Sequence, residues 1–205
     1  MARYLDLVDE LRRECPEAPS ALLESEARAS VVDFCKQSRY WREHRVIDLV
    51  EGQPDYRLRP SNEGRVDQVL QVIYISNGDW PLTKVDYART LGQARNGQPR
   101  YYAEPPGGGA IRLDPTPDGG QLALYLVLVP GRQSRTFPDM IAEPWWEALK
   151  DGANARLLMH SNKPWTDPAK AEHLKLQFTR AAMSARQAAV SDQWAPQSVK
   201  LRKWV

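Results

Sequence analysis

Two cysteines in 205 residues, Cys15 and Cys35, are too few for a disulfide framework or a cysteine-based zinc site. Each falls inside a helical pattern, so both read as buried free thiols. Histidine is nearly as scarce: His44, His160 and His173 lie far apart with no i,i+4 pairing. No His-Glu-x-x-His or Gly-x-Ser-x-Gly pattern occurs, so each reads as a surface or cap residue. No apolar run approaches the roughly 18–20 residues of a membrane span. The opening MARYLDLVDELRREC carries charge where a signal peptide is apolar, and the chain is expected to be soluble and, when made, cytosolic. An excess of one charge is also lacking. The 28 Lys and Arg stand against 26 Asp and Glu, and a net charge of +2 makes no field strong enough to hold a polyanion. There is no internal repeat and no low-complexity segment.

What is present is a change of period. Tyr4, Val8, Leu11 and Cys15 recur at helical spacing until Pro16 stops them. A second helix is predicted after Pro19, with Ser20 as its cap and Leu23, Ala27, Val31, Phe34 and Trp41 as its stripe, ending near Tyr40. From about His44 to Phe137 the runs become β-like and are cut by Gly, Pro, Asn and Asp. They are HRVIDLVE, YRLR, RVDQVLQVIYI, Arg100-Tyr101-Tyr102, Ala110 to Leu113 and LALYLVLV, with a tight hairpin expected at Asn77-Gly78-Asp79. Five to seven antiparallel strands are expected.

Helical grammar returns after Pro138. Pro144 suits a first-turn position, Trp146, Leu149, Ala153 and Leu157 share a face, and the third helix is expected to end near His160. Asp167 then caps and Pro168 opens a fourth helix, whose seam is Ala171, Leu174, Phe178, Ala182, Ala185 and Ala189. The expected fold is α+β: an antiparallel bundle of the N- and C-terminal helices (1–43 and 138–194), an inserted antiparallel sheet or small barrel (44–137), and an extended C-terminal tail (195–205).

Sequences that could carry chemistry lack an essential part. Gly107-Gly108-Gly109 has no following Gly-Lys-Ser or Gly-Lys-Thr and precedes a strand, so it reads as a loop tip. Asp114-Pro115-Thr116-Pro117-Asp118-Gly119 resembles the start of a calcium loop, but Tyr125 stands where the bidentate Glu belongs. No catalytic residue, metal or cofactor is expected. Two other classes remain open: a nucleic-acid-binding face of Arg42, Arg45, Arg57, Arg59 and Arg65 beside Tyr40 and Tyr56, and a small hydrolase built from scattered Asp and His. Of the seven tryptophans, Trp41, Trp146 and Trp165 read as core, while Trp194 and Trp204 flank a tail with no core of its own and suit an interface.

Two segments resemble the head-to-tail adaptor proteins of tailed, chiefly short-tailed, phages. They are PSALLESEARASVVDFCKQSRYW, Pro19 to Trp41, and the linker MHSNKPWTDPAKA with its Lys163, Pro164, Trp165, Asp167 and Pro168, preceded by the step Gly152-Ala153. The resemblance implies a virion protein at the head–tail junction, assembled in the host cytoplasm as a homo-oligomeric ring, expected to be a dodecamer. Such a ring docks on the portal, joins it to a tail nozzle or other tail protein, and passes the genomic DNA without binding it specifically. It also implies that the tail grips the portal. Val199, Lys200, Leu201, Arg202, Lys203, Trp204 and Val205 combine apolar and basic side chains, and Pro196 disfavours continuation of the preceding helix. The tail is expected to be poorly ordered in the free monomer and extended in the particle, where its eleven residues reach about 36 Å.

Overall fold

The structure is a computed structural model that describes residues 1–60, 64–76, 78–91 and 95–193. Its elements run β1 (Ala2–Arg3), α1 (Tyr4–Glu14), α2 (Ser20–Ser38), β2 (Arg42–Asp48), β3 (Asp55–Arg57), β4 (Gly64–Ile75), β5 (Asp79–Pro81), β6 (Thr83–Lys84) and a 3₁₀ turn at Tyr87–Leu91. They continue as β7 (Tyr101–Ala103), β8 (Ala110–Asp114), β9 (Gln121–Pro130), β10 (Thr136–Phe137), α3 (Asp139–Leu158) and α4 (Pro168–Gln193). The α+β class with antiparallel sheets is borne out. The chain divides into two compact units, one of Met1–Tyr4 with Trp41–Ile141 and one of Leu5–Tyr40 with Ala142–Val205.

In the β unit two four-stranded sheets have the orders β2-β9-β4-β5 and β3-β8-β7-β6, and β1 pairs with β10. Every ladder is antiparallel except β6 with β7, which is parallel. The described residues contain ten strands instead of the five to seven expected, because β1, β5, β6 and β10 are two or three residues long and too short to show an alternation in sequence. LALYLVLV is a central strand: β9 pairs with β2 on one side and β4 on the other. It is buried on both faces, Leu122, Leu124, Leu126 and Leu128 on one and Ala123, Val127 and Val129 on the other, which is why it reads as a continuous apolar run. Register shifts after Val66 and Val69 reset the phase of β4, so that Val69, Val72 and Tyr74 are all buried although Val69 and Val72 are three residues apart. The β4–β5 hairpin pairs Ile75 with Asp79, as the Asn-Gly turn implies; Asn77 itself lies outside the described residues. Gly107, Gly108 and Gly109 all have positive φ between β7 and β8, with nothing near them, and form the expected loop tip.

In the helical unit the stripes of α1 and α4 are buried as their spacing requires, with only Leu174 half exposed. Phe34 of α2 meets Phe178 of α4 edge-on at 6.1 Å and Trp145 of α3 at 5.7 Å. The Ser30 hydroxyl donates to the Leu149 carbonyl at 2.7 Å. Three local expectations need correction. Ser20 is not the cap of α2: Pro19 holds that position without a side-chain bond, and the Ser20 hydroxyl instead accepts from Arg12 at 2.7 Å. Helix α2 stops at Ser38 because Arg39 adopts a left-handed conformation at φ 51. Trp41 therefore does not extend the α2 stripe; it is buried in the β unit, its ring against Gly64. Pro144 lies inside α3, not in its first turn, since the helix starts at Asp139, directly after Pro138, whose carbonyl accepts from Ile141 at 3.0 Å.

Candidate functional site

A groove of about 470 Å³ opens between α2, α3 and α4. Its floor is Gly152, Ala155 and Phe178, and its rim carries Glu26, Asp33, Arg156, His160 and Lys175. The rim charges are arranged against each other. Arg156 pairs with Asp33 and lies 3.6 Å from Glu26, while His160 Nε2 is 3.3 Å from the other Glu26 oxygen. Both carboxylates face cations, so the groove presents a closed ion-pair network over an apolar floor. Among the described residues no group of three His, Cys, Asp or Glu side chains stands close enough to hold a metal ion. The three histidines stay apart: His44 stacks on Tyr125 at 4.6 Å and His173 meets Gln177 at 2.8 Å. The Cys15 thiol is pushed up by burial and by the Glu14 charge, which keeps it protonated.

Both aromatics of the arginine face expected for nucleic acid make contacts within their own units. Tyr56 is buried and its hydroxyl is spent on Val50, accepting from the amide at 3.0 Å and donating to the carbonyl at 3.1 Å. Tyr40 belongs to the helical unit and packs edge-on against Trp145 at 6.0 Å. Arg45 is engaged by the Arg59 carbonyl and lies 3.8 Å from Glu43. Buried as it is, Tyr56 offers no ring face on which a base could stack.

The motif loop is a closed connector. After α3, the Trp165 indole donates to the Leu157 carbonyl at 3.2 Å and Asp167 N to the Leu158 carbonyl at 3.1 Å, satisfying two carbonyls of the helix end. The Asp167 carboxylate accepts from Lys170 N at 3.0 Å and caps α4, with Pro168 first in the helix as expected. Lys163 and Pro164 are exposed. The hub, however, is Thr166, the variable position of the motif. Its hydroxyl donates to the His160 carbonyl and accepts from Lys163 N at 3.0 Å, and its own amide donates to Lys163 at 3.0 Å. A threonine two residues before a proline carried no signal by which the sequence could have marked it. The tail residues Val199 to Val205, with Trp194, lie outside the described residues.

Carboxylates gather where α1, α3 and α4 approach. Burial raises the Asp151 carboxyl above its ordinary range; Lys150 opposes this, Glu147 and Glu14 add to it, and His173 opposes. The folded state thus holds that proton more tightly than the unfolded chain does. The resulting stability is complete below the ordinary carboxylate value near pH 4 and is lost as pH rises through the raised value. Asp151→Asn is accordingly expected to raise the unfolding free energy slightly at pH 7, by less than about 1 kcal/mol because the group is only half-buried, with a matching small rise in the thermal midpoint, and to give no advantage at pH 3. Parallel melts of both proteins across pH 3–8 check the sign, and an equal offset at all pH values would refute it.

The residues that sequence reasoning missed are apolar and outward-facing. Trp80 at the β4–β5 hairpin is 56% exposed, and Leu176, Met183 and Val190 of α4 are each more than half exposed. No helix among the described residues is long and apolar enough to cross a membrane. A family model described as SU10 adaptor protein matches residues 2–200, nearly the whole chain. Among curated proteins none matches the chain significantly.

Proposed function

The chain belongs to the SU10 adaptor protein family, as its resemblance to phage head-to-tail adaptors implied, and from that premise we propose that it is a ring-forming subunit that docks on the portal and joins it to the tail. It is a structural phage protein and a component of the virion. The observation that carries the finer reading is the extent of the match, which takes in segments of both units. The chemistry fits a part that acts by docking: the groove rim is neutralised by its own ion pairs, while large apolar side chains face outward on α4 and on the β4–β5 hairpin. In this reading the ring is a dodecamer, the genome passes through it without specific contacts, and neither a cofactor nor a catalytic step is involved. The helical lobe (1–43 and 138–194) mediates subunit packing and the β lobe (44–137) faces the tail.

The portal-docking arm is the segment 195–205. Val199, Leu201, Trp204 and Val205 each contribute about 1.5–3 kcal/mol on burial, while Lys200, Arg202 and Lys203 suit an acidic groove. Ordering the arm offsets part of this. Ring valency multiplies the remainder, so that arms individually weak make a durable joint. Deletion of Val199 to Val205 is expected to leave the helical circular-dichroism signal unchanged and to weaken association with purified portal at least tenfold. The reading fails if the truncated chain folds normally and binds portal as tightly as the full-length protein.

A further inference from the structure

Helix α4 has two apolar faces, and the fold uses only one of them. The inner seam, Ala171, Phe178, Ala182, Ala185 and Ala189, is buried. Leu176, Met183 and Val190 lie about 130° around the helix from it and repeat every seven residues, a stripe about 21 Å long. They are 54%, 51% and 55% exposed, which is unusual for three large apolar side chains in one line. Beside the stripe Met183, Arg186, Gln187 and Val190 line a shallow hollow of about 450 Å³, room for a side chain from another molecule.

The charge around the stripe says what covers it. Between Leu176 and Val190, α4 has two cations, Arg180 and Arg186, and no Asp or Glu; Glu172 lies one turn before Leu176. The opening of α3 has the reverse composition: from Asp139 to Leu149 it has Asp139, Glu143 and Glu147 and no Lys or Arg. Glu143 and Glu147 are exposed one turn apart on one side of that helix, and Pro144, also exposed, lies next to Glu143 around its circumference. Pro144 adds an apolar contact on the flank of the two acids. One chain therefore carries two different surfaces that complement each other, an apolar stripe flanked by arginines and an acidic ridge with an apolar flank. Different and complementary patches on the same subunit are what a head-to-tail contact requires, and such contacts form a ring when the rotation between neighbours closes.

We propose that the Leu176–Met183–Val190 stripe of α4 is the self-association surface, and that it docks on the Glu143–Glu147 ridge of α3 in a second copy of the chain. This rests on the ring reading above and gives it a named interface. Arg180 and Arg186 lie on opposite flanks of the stripe and meet Glu143 and Glu147 of the neighbour, while Met183 seats against Pro144. Each subunit then uses both surfaces, one with each neighbour. Glu147 is paired with Lys150 on its own helix, and Glu143 is exposed on the turn before it.

The test uses charge reversal on exposed side chains, which leaves the cores untouched. Sedimentation velocity and electron-microscope class averages, with and without purified portal, are to be collected on four samples: the wild-type chain, Arg180→Glu with Arg186→Glu, Glu143→Lys with Glu147→Lys, and an equimolar mixture of the two double variants. Circular dichroism checks that each folds. The wild type is expected to assemble, and each double variant to self-associate at least tenfold more weakly. The mixture is expected to recover assembly, because every contact in it again joins opposite charges. Met183→Ser, a neutral change, is expected to weaken assembly as well. A wild type that stays monomeric under both conditions overturns the ring and the interface together. A wild type that assembles while both double variants assemble equally well overturns the interface and leaves the ring. Loss of assembly without recovery in the mixture overturns the α3 ridge as the partner. Variants that self-associate normally but lose portal binding assign the stripe to the portal instead and overturn the proposal.

Discussion

Gly152→Val is expected to lower the stability of the helical unit by about 3 kcal/mol or more, and Gly152→Ala by about 2 kcal/mol, even though alanine favours a helix interior by about 1 kcal/mol over glycine. A Cβ built on Gly152 would stand 2.5 Å from Phe178 Cδ2 and 2.5 Å from Ser30 Oγ. Neither neighbour can give way cheaply. Phe178 is buried and packs edge-on against Phe34 at 6.1 Å. Ser30 is held by its bond to the Leu149 carbonyl, one turn earlier on α3. The added methyl must therefore push α3 away from α2 and α4 together. At roughly 2–4 °C per kcal/mol for a chain of this size, the alanine variant is expected to melt about 4–8 °C lower when followed at the helical circular-dichroism band. A higher midpoint, as helix propensity alone requires, would show that the three helices do not meet at Gly152.

The second large effect belongs to the β unit. Trp41→Ala is expected to cost about 3–5 kcal/mol and to shift the denaturant midpoint strongly, with Trp41→Phe costing less. Trp41 is 4% exposed and its ring covers Gly64, the first residue of β4, where an added Cβ would stand 2.7 Å from Trp41 Cη2. Because Gly64 has no side chain to fill the space, removal of the indole leaves a cavity that neighbouring groups cannot close. The Trp41 carbonyl also accepts from Leu128 N at 2.8 Å, so the residue joins the start of β2 to the central strand. A loss below about 1 kcal/mol would show that the indole is dispensable to the unit, contrary to its burial.

The legible parts of this fold are those in which one face of an element does one job. The α4 seam could be read because its alanines repeat at 3.6 residues, and β9 could be read because both of its faces are covered. Element limits were legible where one residue type has a single backbone meaning, as with Pro16 and Asp167-Pro168. They were not where two signals compete. Ser20 looks like a cap, but Pro19 fixes the entry geometry and the hydroxyl goes to Arg12. Pro144 looks like a helix start, but Pro138 starts the helix earlier. Trp41 continues a helical spacing past a residue, Arg39, whose left-handed turn has no signature in sequence. The parallel pairing of β6 with β7 could not be read from two- and three-residue strands. At the candidate surfaces, the motif was visible but its hub at Thr166 was not. The outer stripe of α4 was hidden because a seven-residue spacing of apolar side chains is easily absorbed into the inner seam.

The discontinuity of the two units also sets an order of events during synthesis. Helices α1 and α2 leave the ribosome ahead of α3 and α4, yet Phe178 of α4, against which Phe34 of α2 packs, follows more than a hundred residues later. Short of those partners, a helix of 19 residues is only marginally stable in water. The 101 residues of Trp41–Ile141, by contrast, emerge as one uninterrupted stretch and have nearly all their pairing partners within it. Once they fold, their two ends stand at a fixed separation. The helical unit then closes across a rigid span, without the loop-closure entropy of a hundred free residues. The nascent chain is thus expected to carry α1 and α2 exposed until α4 has been made, the interval in which their apolar faces are open to chaperones or to neighbouring nascent copies.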